Sequence, residues 1–315
     1  MKKWLLLIAA ILILFFVGVY VFIPSNIEIS GSTTAKATRD GSVRTISSES
    51  KWREWWNYNN TQKNAAENTK GIFRNDYFTY KLKQSGFNTS LISIGYKNKT
   101  TDGKITVLQL ADNSVAIILQ TSLTGSSNPF VRMQQYFDAV SLKKNIEQVL
   151  VSLKSFVEKD ENIYGIKISE TTTKDSFLIS KKQMFTHQPS MNNVYKLIDD
   201  LKEYALKNNC EQVDAPMLNI STESDEYRVM VALPINKPVI ALPPVSYIKM
   251  ANGNFMKTRV QGGPATVQNA LQQLQLYFQD YNKTSMAITF QYLVTDRNKE
   301  ADTTKWITEI YAPVM

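Results

Sequence analysis

Residues 305–314 read as a strand and place one carboxylate, Glu309, among Trp306, Ile307, Ile310, Tyr311 and Val314. Successive strand side chains point to opposite faces, so Glu309 shares a face with Ile307 and Tyr311, while Trp306, Thr308 and Ile310 take the other. A strand that is apolar on both faces is usually covered on both, which puts Glu309 in or beside the interior, where a bare charge is costly. Two readings stand. Glu309 is either half of a structural ion pair or a rim residue reaching water, or it is a ligand-contacting acid in a concave aromatic pocket. Burial would raise its pKa, which suits a general base as well as recognition of a cation.

The other reactive side chains are few. His187 is the only histidine and Cys210 the only cysteine. A lone cysteine excludes an internal disulfide and a multi-cysteine metal site, and a lone histidine excludes a His cluster within one chain. No metal and no cofactor are therefore expected. His187 lies in Thr186-His187-Gln188-Pro189, which reads as a loop, and no nucleophile-elbow sequence supports a catalytic triad. Cys210 follows Asn208-Asn209 at a helix end and reads as a buried structural thiol. Gly262-Gly263-Pro264 lacks both the Walker lysine and the dinucleotide spacing, so it reads as a turn before a helix.

Net charge does not change this picture. The formal charge is +8, but basic residues are scattered beside acids, with isolated pairs such as Lys143-Lys144 and Lys181-Lys182. No DNA-reading motif accompanies them, and nucleic acid is not expected as a partner. Hydrophobic residues at 43% and charged residues at 20% describe a globular chain, long enough at 315 residues for two ordinary domains.

Several elements must position Glu309. Met1-Lys2-Lys3 precedes an uncharged run, residues 4–23, closed by Pro24. A helix rises about 1.5 Å per residue, so such a run is long enough to span roughly 30 Å of hydrocarbon. The expectation is one transmembrane helix at the N-terminus, contacting the lipid bilayer through residues 4–23. Lys2 and Lys3 favour a cytoplasmic N-terminus, hence a single-pass inner-membrane protein with its domains periplasmic or otherwise extracytoplasmic.

After the anchor, 26–38 has strand character and 40–56 turns helical, ending in Trp52, Trp55 and Trp56. Short β-rich segments follow at 76–84, 90–97, 104–110 and 114–123, separated by turn signals such as Ser85-Gly86 and Asp102-Gly103. From 129 to 159 the apolar period becomes helical. Beyond a charged link at 158–161, strand character returns at 163–168 and 175–185, and an amphipathic helix fills 191–207. Strands at 227–233 and 245–257, a helix after Gly263, and strands at 286–295 and 305–314 complete the chain. The whole is α+β, with a β-α-β-β order given twice in the second half.

The first half resembles the START/polyketide-cyclase superfamily, also called SRPBCC or helix-grip. The resemblance is carried by Asn26 to Thr34, by Lys51-Trp52-Arg53-Glu54-Trp55-Trp56 and by Leu153 to Glu158. It implies an antiparallel sheet wrapped on a long C-terminal helix, with a hydrophobic cavity between them. The second half resembles the effector-binding domain of bacterial transcription activators, the gyrase-inhibitor-like family. Its marks are Trp306-Ile-Thr-Glu309-Ile-Tyr311-Ala-Pro313-Val314, Tyr227 to Ala232 and Gly262-Gly263-Pro264. This resemblance implies that Glu309 faces an aromatic-walled pocket for a hydrophobic or cationic small molecule, with Trp306, Tyr311, Tyr292 and Tyr247 as further ligand-binding candidates.

The expected organisation is an anchor at 1–24, a helix-grip domain at 25–161 and an effector-binding domain at 162–315. The expected function is that of a membrane-anchored binding protein, a sensor or carrier. A hydrolase or cyclase using Glu309 as general base is the alternative, and a ligand-free scaffold is the third. No second catalytic group accompanies Glu309, which favours binding.

Overall fold

Alternating apolar and polar positions build two antiparallel sheets in the computed structural model, which describes residues 2–58, 71–97, 99–111, 113–173, 176–250, 252–285 and 287–314. The fold is α+β, and the chain divides into two compact units between Ile163 and Tyr164. Two expected strand starts, Asp175 and Met286, lie outside the described residues.

In the first unit, helix α1 (Lys2–Phe22) leads to β1 (Asn26–Ala35), α2 (Arg39–Ser47) and α3 (Glu49–Tyr58). Strands β2 (Phe73–Asn75), β3 (Phe78–Ser85), β4 (Thr89–Tyr96), β5 (Lys99–Gln109) and β6 (Val115–Thr124) follow, and the long helix α4 (Pro129–Val157) comes after them. The sheet order is β1-β6-β5-β4-β3-β2. Helix α4 starts where Asn128 accepts the Phe130 and Val131 N–H groups and Pro129 supplies the preset first φ. It packs on β1 at Gly31, where a Cβ would fall 2.7 Å from Cγ2 of Ile146. The helix expected at 40–56 is two helices, because Ser48 is extended and breaks the run.

The three tryptophans of α3 are core. Trp52, Trp55 and Trp56 are buried against Phe73 and Tyr80, with Trp52 and Trp56 stacked at 5.9 Å. Trp52 Nε1 donates to the Ile46 carbonyl at 2.7 Å and Trp56 Nε1 to the Arg74 carbonyl at 2.9 Å, which satisfies the polar tips of two rings. Between this sheet and α4 lies a cavity of about 230 Å³, mixed in character, lined by Phe78, Tyr96, Thr101 and Ser122 of the strands and Asp138 and Leu142 of the helix.

The membrane expectation is corrected. Among the described residues no helix is long and apolar enough to cross a membrane. Residues 4–23 do form most of α1, but its last turns are engaged by protein. Val19 and Ile23 are buried, Phe16 meets Phe130 edge-on, and the Tyr20 hydroxyl donates to the Ser127 carbonyl at 2.5 Å. Arg132 donates to the Ile23 carbonyl at 2.8 Å and stacks on Tyr20. Fewer residues are left for lipid than the roughly 20 that a hydrocarbon core requires. With the span go the bilayer contact through 4–23 and the single-pass inner-membrane placement with a cytoplasmic N-terminus.

The short helix α5 (Asp160–Tyr164) ends on the first residue of the second unit. Then come β7 (Ile168–Thr173), β8 (Ser176–Phe185), α6 (Met191–Lys207), β9 (Met217–Glu223) and β10 (Glu226–Ile235). Next are β11 (Val245–Met250), β12 (Gly253–Gln261), α7 (Pro264–Asp280), β13 (Phe290–Leu293) and β14 (Ile307–Val314). The eight strands run β11-β8-β10-β9-β13-β14-β12-β7. Helix α6 packs its apolar stripe, Val194, Leu197, Ile198 and Leu201, on Ile179, Val229, Val231 and Leu233. Its start carries a reciprocal capping box between Ser190 and Asn193. Helix α7 begins at Gly263-Pro264 with no side-chain cap.

Candidate functional site

Register decides which candidates can meet. Along β14 burial alternates, with Thr308, Ile310, Ala312 and Val314 buried and Ile307, Glu309, Tyr311 and Pro313 half-buried. Glu309 is paired across the sheet with Arg259 on β12 and with Tyr292 on β13, and Tyr311 with Lys257 and Phe290. Directly opposed residues share a face, so these six side chains stand together. Tyr292 is in turn opposite Met217, Met217 opposite Ala232, and Ala232 opposite Ser180. Ser180 shares the parity of Leu178, which opposes Ile248. All of them lie on the face away from α6.

Five candidates therefore separate into two sets. Glu309, Tyr311 and Tyr292 come together on the helix-free face. Tyr247 opposes Ile179, a residue of the α6-covered core, and stacks on Phe177 instead. Trp306 shares the parity of Thr308, is buried, and donates its indole N–H to the Glu300 carbonyl at 2.8 Å. Both lie on the helix-bearing side. His187 is exposed in the loop after β8, and Cys210 is buried with its Sγ 3.5 Å from the Asn208 carbonyl.

Glu309 is already partnered. Its Oε2 lies 2.9 Å from Lys257 Nζ and its Oε1 3.1 Å from Arg259 Nη1, and the Tyr311 hydroxyl donates to Oε2 at 3.2 Å. The Lys257 ammonium also sits 5.1 Å from the centre of the Tyr311 ring. Burial pushes the Glu309 pKa up, but the hydrogen bond and charge of Lys257, the Tyr311 hydroxyl and Arg259 outweigh it, and the net shift is downward. On Lys257 burial pulls down, while Tyr311 and Glu309 raise it, for a net upward shift. The two shifts agree in describing one ion pair. A general base working near neutral pH needs a raised carboxyl pKa, and Glu309 has the reverse.

Aromatic rings connect this charged cluster to an apolar cavity. Phe290 stacks on Tyr311 at 5.6 Å, and Tyr292 and Phe255 meet the same ring edge-on at 5.1 and 6.2 Å. Burial holds the Tyr292 hydroxyl well above its ordinary pKa. Beyond these rings lies a cavity of about 360 Å³ whose walls include Met217, Met230, Met250, Ile248, Phe255 and Phe290. Methionine walls adapt their shape to what they contact.

Sequence reasoning missed Lys257 and Arg259, although Phe255-Met256-Lys257-Thr258-Arg259 alternates and puts both cations on one face. It also missed β9, which carries Met217 and Asn219 to the cavity.

No protein-family model matches the chain, and no curated protein matches it. Solved structures similar to it include the C-terminal domain of EcmrR, at 15% identity and a TM-score of 0.42, covering 48% of this chain and 98% of that one. SAV2435 bound to tetraphenylphosphonium is 16% identical at a TM-score of 0.35, covering 47% and 94%. A hydrolase from Listeria innocua is 9% identical at a TM-score of 0.35, covering 47% and 92%. At these identities and scores nothing of what those proteins bind or do is carried to this chain.

Proposed function

We propose that the second unit binds an apolar small molecule in the cavity on its helix-free sheet face, and that the chain works by binding rather than by catalysis. The observation that carries this reading is the cavity itself, about 360 Å³ with methionine and phenylalanine walls, on a face that neither α6 nor α7 covers. Such a volume lies in the range of small-molecule sites, where apolar walls supply affinity and a few polar groups set orientation. Glu309, Lys257 and Tyr311 stand one ring away from those walls and are the polar groups available for orientation.

The ligand class follows from the charge arrangement. Lys257 lies on the Tyr311 ring and pairs with Glu309, which is where a ligand cation would otherwise sit. A cationic ligand must first displace this internal ammonium. Neutral apolar ligands face no such competition.

The test is titration of the full chain with the neutral fluorophore N-phenyl-1-naphthylamine, comparing the native protein with Met230→Trp. Met230 is a half-buried wall residue, so the larger ring occupies the cavity while the fold remains. Affinity is expected to fall at least about tenfold, the equivalent of roughly 1.4 kcal/mol. Equal binding by both proteins, with equal melting temperatures, would sink the proposal.

A further inference from the structure

On the opposite face of the same sheet a second concavity has no role in the reading above. Helix α6 covers β8 and β10 and α7 packs on β12, which leaves a groove floored by β9 and β13. Its volume is about 790 Å³. Leu218, Ile220 and Gln291 form the floor, the first residues of α6 and α7 form the walls, and Arg297 reaches it from the loop before β14.

Arg297 lacks what a partly buried arginine ordinarily has. Its Nη2 donates to Thr308 Oγ1 at 2.8 Å, its Nη1 approaches Met191 Sδ at 3.0 Å, and its plane lies over Trp306 at 4.8 Å. Its buried Nε has no acceptor among the described residues. Among the described residues no carboxylate pairs with it. The acids on its own loop are used elsewhere: Asp296 accepts from Asn298 and faces Lys299, and Glu300 accepts from Asp302. A desolvated cation without a counter-charge is unfavourable. Burial accordingly lowers the Arg297 pKa.

The rest of the described lining carries no formal charge. None of the described residues lining the groove is acidic. Two helix N-termini open onto it, at Ser190-Met191 and Pro264-Ala265, and the second has no side-chain cap. Each end carries a partial positive charge. The floor is apolar.

We infer that this groove is a binding site for an organic anion, with one negative head group against Arg297 and an apolar body along Leu218, Ile220 and Leu271. A carboxylate and a phosphate monoester share this chemistry, and guanidinium takes either by charge-assisted hydrogen bonds. The inference does not rest on the helix-free cavity.

Calorimetric titration of the full chain with octanoate, octyl phosphate and octan-1-ol tests it. Either anion is expected to bind at least about tenfold more tightly than the alcohol, and the tighter one identifies the head group. Arg297→Gln should erase that preference. Because this change also removes contacts to Thr308 and Trp306, Gln291→Glu is the second arm. Gln291 opposes Ile310 and is thereby the diagonal cross-strand neighbour of Thr308, to which Arg297 donates, so a carboxylate there supplies the missing counter-charge and keeps the arginine. It should weaken both anions about tenfold and spare octan-1-ol. Two results would overturn the assignment: anions no tighter than the alcohol in the native chain, or an anion preference unchanged by Gln291→Glu. Met230→Trp separates this site from the other cavity, and loss of the anion preference in that variant would also reject the groove.

Discussion

Glu309, Lys257 and Tyr311 form a set in which each member fixes the state of the next. The carboxylate pairs with the Lys257 ammonium, Lys257 covers the Tyr311 ring, and the Tyr311 hydroxyl returns to the carboxylate. Glu309→Gln should lower stability by about 1–2 kcal/mol, between the values for exposed and fully buried pairs. That corresponds to a drop of roughly 2–8 °C in melting temperature for a unit of this size. The pH dependence has a definite sign. A carboxyl whose folded pKa is depressed stabilises above its ordinary value of 4.5 and loses that contribution as pH falls through the lowered value. The difference between native and Glu309→Gln is therefore largest near neutral pH and closes in acid, as thermal melts at a series of pH values would record. Lys257→Met makes a separate prediction, because it frees the ring and leaves Glu309 with the Tyr311 hydroxyl and, as its one counter-charge among the described residues, the more exposed Arg259. Affinity for hydrophobic quaternary cations should rise by about tenfold, consistent with a cation–π contact worth roughly 1–2 kcal/mol when desolvated. Unchanged cation binding in calorimetry would mean that Lys257 does not guard the site.

At the scale of elements, the clearest test of local logic is the turn into α7. Gly262 has φ of +145°, a region that L side chains rarely enter, and a Cβ there would meet the Thr266 side chain. Gly262→Ala should cost about 1–3 kcal/mol, read by urea denaturation. In α3, Trp52→Ala should cost about 3–5 kcal/mol, since the ring is fully buried and its N–H serves the Ile46 carbonyl. Long, strongly periodic elements were legible from sequence. Helix α6 spans the expected 191–207, and α4 falls short of the expected 129–159 only in its last residues. Strands β4 and β6 lie within a residue or so of their expected places because alternation was clean there. Elements whose pattern depends on partners were not legible. Residues 163–168 were expected as strand, but 160–164 are helical and β7 starts only at Ile168, where β12 provides the hydrogen bonds. Asp102-Gly103 was expected to turn and instead sits inside β5, with Gly103 against Ile92 and Ile94. At the candidate site, the alternation of β14 placed Glu309 with Tyr311 correctly. It could not place Tyr247, whose face depends on pairing with β8, nor reveal that Arg259 stands opposite Glu309.

At the scale of the whole molecule, each sheet closes within its own unit: the six-stranded one uses residues 26–124 and the eight-stranded one residues 168–314. Each has a core of its own, around the α3 tryptophans in the first and under α6 in the second. A unit of about 150 residues buries enough apolar surface to be stable alone. We therefore propose that fragments 1–163 and 164–315 fold independently. Their summed circular dichroism should reproduce that of the intact chain, and each should unfold in a single urea transition. Strand position makes the prediction sharper. In the second unit β14 lies inside the sheet, hydrogen-bonded to β12 on one side and β13 on the other, whereas β7 is an edge strand, paired among the described residues with β12 alone. Ending the fragment at 306 removes two ladders together with Ile310 and Ala312 from the core, so it should not fold. Starting it at 174 removes one ladder, and it should fold with a lower urea midpoint. If fragment 164–315 shows no cooperative transition while the intact chain does, the units are not independent; if both truncations behave alike, the interior position of β14 is not what holds the second sheet together.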